Sequence, residues 1–140
     1  MGTQQILLIV LSVIIVGVAV AVGIQMFNTQ AMNSNRQAVV GDLQTLGAQV
    51  MQYYRTPTSQ GGAGSTIPTG DESDLYTFMG WAADSVNTDT GSFVVSITAE
   101  NVVQIIGEGT EVGNVGGLPV KATLTVTCTA SSPLSTAIGN

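Results

Sequence analysis

A chain of 140 residues is long enough for one domain with one modest core. Three basic residues against nine acidic ones argue against nucleic-acid binding, because phosphates are contacted mainly by Lys and Arg. No histidine and a single cysteine, Cys128, exclude an intrachain disulfide and a Cys/His zinc cluster.

The first element is an apolar run. From Ile6 to Ile24 there is no charge, and only Ser12, Gly17 and Gly23 interrupt the aliphatic residues. At about 1.5 Å per residue these nineteen positions span roughly 28 Å, close to a bilayer core of about 30 Å. Taken alone the run is a membrane anchor. A secretory signal fits less well, since no basic residue precedes it and no small-residue cleavage site with a basic leader is present. The expectation is an uncleaved anchor or a chain already processed. An ordinary anchor is flanked by Lys or Arg on its cytoplasmic side. Here only Gly2, Thr3, Gln4 and Gln5 lie ahead of it.

No break follows. Residues 25–55 contain no proline, and their only glycines are Gly41 and Gly47. Apolar residues recur at Val39, Leu43, Leu46, Val50 and Tyr53, which is one face of a helix. Pro57 stops the pattern by disfavouring helix in the residue before it. The spacing thus predicts one helix of about 55 residues, some 80 Å long. Its first part, 1–24, is apolar all round, and 25–55 is amphipathic. With no proline in 14–24, an unbroken helix is expected there. A helix apolar on every side must be covered on every side. The remaining 85 residues are too few to wrap it and also form a head, so it belongs in lipid or among copies of itself.

With Met1 as a mature N terminus, the run Ile6–Leu7–Leu8–Ile9–Val10–Leu11 onward, and the amphipathic continuation to Tyr54, the chain resembles a type IV pilin or a relative in that filament superfamily. The resemblance covers roughly residues 1–55 and lies in architecture more than in letters. It implies that prepilin peptidase removes a basic leader after a glycine, and that the new N terminus is open to methylation. It further implies that the helix waits in the inner membrane before an assembly machinery moves it into a filament core. The assembly residues it implies are Met1, Gln5, Ile6, Leu7, Leu8, Leu11, Ile14, Ile15, Gly17 and Gly23. Two positions depart from the family pattern. Bacterial members usually carry glutamate at the fifth mature position, where Gln5 stands here. An amide accepts a hydrogen bond from a neighbouring ammonium but does not cancel its charge. A proline often found near the end of the apolar half is also absent, with Val22 and Gly23 in that region. Both point to a divergent bacterial lineage or an archaeal type. Gln5 is expected to hydrogen-bond an N terminus or a nearby backbone group.

Residues 56–90 are predicted to be a loop with a short helix. The stretch 56–73 is rich in Gly, Ser, Thr and Pro, and Asp74 is placed as the cap of a helix from Leu75 to Ala83. Residues 91–140 are predicted to be an antiparallel sheet. Phe93, Val95, Ile97 and Ala99 alternate with polar or smaller positions, a second strand covers Val102–Ile106, and glycines punctuate a hairpin loop over 107–117. In the strongest strand, 118–129, Leu118, Val120, Ala122, Leu124, Val126 and Cys128 share one face. Three such strands need a cover, and the helix stripe is the available one. The expected fold is therefore α+β: a long N-terminal helix packed against a small antiparallel β-sheet head, pilin-like. Its head-packing residues are Val39, Leu43, Leu46, Val50, Tyr53, Leu124, Val126 and Cys128.

Other candidate sites have plain structural readings. Asp71, Glu72 and Asp74 offer oxygens to calcium, but acids at a helix start also suit the helix dipole. Cys128 has the parity of a buried small hydrophobe. Tyr53, Tyr54 and Phe27 suit core packing better than an electron path. Gly61–Gly62–Ala63–Gly64 lacks the Lys of a phosphate loop. No Asn-x-Ser/Thr sequon occurs, while the threonines from 123 to 129 offer hydroxyls for O-linked sugars or for a neighbour. Without a His base or a Ser/His pair, neither an enzyme nor a cofactor is expected. The expected function is the structural subunit of an extracellular type IV pilus-like filament, membrane-embedded before assembly, with copies of itself as the main partner. A single-pass anchored interaction module and a minor pseudopilin of a secretion system are the alternatives.

Overall fold

A computed structural model describes residues 2–70, 72–113 and 116–139. Helix α1 runs from Gly2 to Arg55 without interruption, including 14–24. Three of its hydroxyls bond back within the helix: Ser12, Thr29 and Thr45 donate to the carbonyls of Leu8, Gln25 and Gly41, four residues back. The helix ends where Pro57 forbids continuation, and the chain then folds back over its last turn. Ala63 N–H donates to Tyr53 O at 2.9 Å, Ser65 N–H to Tyr54 O at 2.8 Å, and Gly64 N–H to Thr56 O at 2.9 Å. These loop amides satisfy carbonyls that a helix C terminus leaves open. Gly62 makes the return tight, since a Cβ there would lie 2.2 Å from Thr56 O.

The head is a five-stranded antiparallel sheet in sequence order: β1 Ser85–Asn87, β2 Gly91–Ala99, β3 Val102–Val112, β4 Pro119–Thr127 and β5 Leu134–Ile138. Its inner face presents Phe93, Val95 and Ile97 from β2, Val103 and Ile105 from β3, and Val120, Ala122, Leu124 and Val126 from β4. Register aligns Val95 with Ile105 and Ile105 with Leu124, so these side chains form one row across the sheet. The helix lays Val39, Leu43, Val50 and Tyr53 on that face, all buried. A short helix, α2 Glu72–Met79, closes one end with Leu75, and Ile67 joins the same core. The α+β arrangement is the one that the helical stripe and the strand alternation call for.

Several details differ from the sequence reading. Leu46 is only partly buried, and Gly47 occupies the centre of the contact instead. A Cβ on Gly47 would come 2.6 Å from Leu124 Cδ2 and 2.9 Å from Leu134 Cδ2, so the missing side chain lets helix and sheet approach. Strand β3 extends to Val112, well past the expected end at Ile106. Gly107 and Gly109 lie within the strand because space above them is taken. Phe93 and Val39 fill the site over Gly107, and Asn35 fills that over Gly109. The region expected to be loop and helix also contains β1, and β5 adds a fifth strand. Leu118 is exposed, one residue before β4 begins. Ala99 is exposed beside an irregularity in the β2–β3 pairing. Asp74 lies inside α2, which starts at Glu72, and does not cap it. The helix stops at Met79 because Gly80 turns left-handed at φ 75, and Trp81 N–H then donates to Tyr76 O at 2.8 Å.

Candidate functional site

The feature that sets this molecule apart from a closed globule is the N-terminal half of α1. Every aliphatic side chain from Ile6 to Ile24 that has more than one methyl is about half exposed or more, from 49% for Val10 to 69% for Leu7. Ile6, Leu8, Leu11, Ile14 and Ile15 lie in that range. Gly17 and Gly23 leave shallow notches with nothing within 4 Å of a Cβ placed there. The run is long and apolar enough to cross a membrane, and the head covers none of it. Gln5 is exposed beside it. Met1 lies outside the described residues, and with it the expected contact between Gln5 and its own chain's N terminus.

Bare apolarity continues past the membrane-length segment. Met26 and Phe27 are 69% and 76% exposed. No charged residue occurs between Gly2 and Asn35, a rod of about 50 Å. Asn35 ties the rod to the head: its Nδ2 donates to Thr90 O at 2.9 Å and its Oδ1 accepts from Glu111 N at 3.4 Å.

Comparison with protein families, curated proteins and solved structures finds no match.

The remaining candidates resolve into structural roles. Glu72 Oε1 accepts a hydrogen bond from Ile97 N at 3.2 Å, so that carboxylate holds α2 against β2. Asp71 lies outside the described residues, and Asp74 is exposed. Among the described residues no three ligating side chains gather to hold a metal. The amides of the 61–64 loop point inward, Gly61 to Thr58 O and Gly62 to Pro57 O, and are therefore not offered to an anion. Tyr53 packs on Phe78 with ring centroids 5.3 Å apart. Phe27, expected in core packing, is instead 76% exposed, and it lies 26 positions away on the same helix, about 39 Å, so the three aromatics do not form a chain within one subunit. Thr123, Thr125 and Thr127 line the outer sheet face, half-buried by their neighbours.

Cys128 is buried at the end of the inner face, and burial pushes its thiol pKa above the usual range, partly offset by a backbone hydrogen bond. Burial and the net rise in pKa together suppress the reactive thiolate. Thiol labelling of the native chain by a maleimide is expected to be at least about ten-fold slower than in denaturant. Equal rates would place Cys128 on the outer face.

One feature was not anticipated from the sequence. Beside the helix–sheet seam lies a groove of about 400 Å³ between α1 and the β1–β2 hairpin. Leu46, Trp81 and Phe93 line it together with the acidic residues Asp42 and Asp89. Thr90 Oγ1 donates to Asp42 Oδ2, fixing that carboxylate. The available signal was Asp42 itself, the only acidic residue in a helix of 54 residues.

Proposed function

We propose that this chain is the structural subunit of an extracellular pilus-like filament, held in the membrane by α1 before assembly and packed through α1 afterwards. The observation that carries the reading is the exposed apolar run Ile6–Phe27, joined without a break to the helix that packs the head. A bilayer core covers about 30 Å. The apolar run Ile6–Phe27 is about 33 Å, and the uncharged but polar residues 28–35 carry it on rigidly into the helix that forms the head's own core. An anchor alone accounts for the first part. Parallel copies cover that part and also use the rigid continuation, which holds each head at a fixed offset from the packed runs.

Magnitudes agree with this. Burying one Leu, Ile or Val from water is worth about 1.5–3 kcal/mol, and association costs about 4–15 kcal/mol in lost freedom. The aliphatic side chains between Ile6 and Ile24 exceed that cost even when each is partly covered. From the membrane the balance differs, because lipid is as apolar as a neighbouring helix. Close packing must then favour the filament, and the notches at Gly17 and Gly23 permit it.

Electron microscopy of material sheared from cells expressing the full chain tests the reading. Abundant filaments containing the chain support it. A protein confined to the membrane fraction, with no filaments, overturns it in favour of a single-pass anchored interaction module. Traces of the chain in filaments built mainly of another protein would indicate a minor pseudopilin.

A further inference from the structure

We infer that the groove beside Asp42 receives Arg55 of a neighbouring copy, a contact that sets the stagger between subunits and that rests on the filament reading. The groove combines an apolar lining with two acidic residues. Trp81 and Leu46 are half-buried apolar lining, Phe93 backs them from the core, and Asp42 and Asp89 bring negative charge. This chemistry fits a cation on a long apolar stem, which is what an arginine is.

The chain has three basic side chains to offer. Lys121 is engaged with Glu108 at 3.0 Å. Arg36 has its Nε buried against its own chain. Arg55 is exposed at the end of α1 and makes no ion pair among the described residues. Most of the negative charge lies in the head, so an arginine seated between Asp42 and Asp89 also relieves repulsion when heads crowd together.

The helix fixes where donor and acceptor face. Asp42 and Arg55 are thirteen positions apart on one straight helix. At about 100° per residue these positions turn through about 220° beyond whole circles, so the two side chains leave the helix about 140° apart. They are also separated by about 20 Å along the axis. One flank therefore carries the groove, and nearly the opposite flank carries the plug. Such a contact cannot close between two copies by a two-fold axis. It is head-to-tail, and repeating it generates an open assembly. A parallel neighbour displaced by about 20 Å brings its Arg55 level with Asp42. About 13 Å of the apolar runs Ile6–Phe27 then still overlap between these two copies, so the pair is held by the charged contact between heads together with a shorter apolar one.

The test uses the full chain under assembling conditions, with the critical concentration measured by sedimentation and the product viewed by electron microscopy. Asp42→Arg and Arg55→Glu are each expected to raise the critical concentration at least about ten-fold through like-charge contacts. The double variant should return to within a few-fold of the parent chain. Because Asp42 also accepts the Thr90 hydrogen bond, Asp89→Arg is run in parallel, alone and with Arg55→Glu. Circular dichroism of each detergent-solubilised monomer checks folding. If the parent forms filaments and the single reversals assemble equally well, Arg55 merely complements the helix dipole in solvent, and this contact is wrong while the filament reading stands. If both double variants fail as badly as the singles, the contact is likewise wrong. If the parent forms no filaments, both readings fall together.

Discussion

A chain beginning at Gln25 should be a soluble, acidic monomer that melts cooperatively and forms no filaments. Every charged residue and every buried core residue named above lies beyond position 24, so the net charge of −6 and the head are retained. The side chains removed are the exposed ones of the apolar run. The head keeps Val39, Leu43, Val50 and Tyr53 for its sheet, and Asn35 keeps its bonds to Thr90 and Glu111. Circular dichroism should show mixed helix and strand, and the full-length and truncated chains should differ sharply in sedimentation under assembling conditions. A membrane-anchored module shares the solubility but predicts no filaments from either chain. Filaments from the truncated chain would mean that heads polymerise unaided, and the role assigned to Ile6–Ile24 would be wrong.

The largest loss of stability from one substitution in the head is expected at Phe93. Its ring is 1% exposed and lies over Gly107, against Val39 of the helix. Phe93→Ala should cost about 3–5 kcal/mol, a large part of the 5–15 kcal/mol typical of a whole domain. Gly107→Ala places its methyl 2.8 Å from both Phe93 Cε1 and Val39 Cγ1. A buried ring and a β-branched side chain on a rigid helix yield little, so this overpacking should cost about 1–3 kcal/mol. The two changes are coupled, because removing the ring makes room for the methyl. The double variant should therefore be at least about 1 kcal/mol more stable than the sum of the singles requires. Urea melts of the four chains measure this. Additive losses would show that Phe93 does not define the site over Gly107.

These two sites also show what was legible beforehand. The helix was visible as periodicity: the spacing of Val39, Leu43, Val50 and Tyr53 admits one face only, and Pro57 fixes the end. Strand β4 was visible as alternation from Val120 to Val126. The glycines were misleading. Gly107 and Gly109 carry a turn signal in sequence, but their place in β3 depends on Phe93, Val39 and Asn35, which lie far away in the chain. Leu46 and Gly47 exchanged roles for a similar reason, since a hydropathy pattern favours the larger residue while close approach favours the smaller one. Strand β1 has three residues and β5 is exposed throughout, so neither carries a clear pattern of burial. The groove at Asp42 joins a helix flank to a hairpin turn, a juxtaposition that exists only after folding.

The sequence order of the five strands bears on how the molecule is made. Each strand pairs with the next one along the chain, so the sheet consists of local hairpins, which form quickly. The helix is different: Val39 must wait for Gly107, 68 positions later, before its cover exists. On a ribosome the apolar rod therefore emerges long before the head is complete, and for that interval the stripe Val39–Tyr53 has no sheet to pack on. A membrane that takes up the rod at once would shelter the most aggregation-prone part of the nascent chain and keep unfinished heads apart. Helix docking should then be the last event, and stopped-flow refolding followed by Trp81 fluorescence and far-ultraviolet dichroism can examine it. Strand signal appearing before the fluorescence change is the expected order. Simultaneous changes would mean that helix and sheet form together.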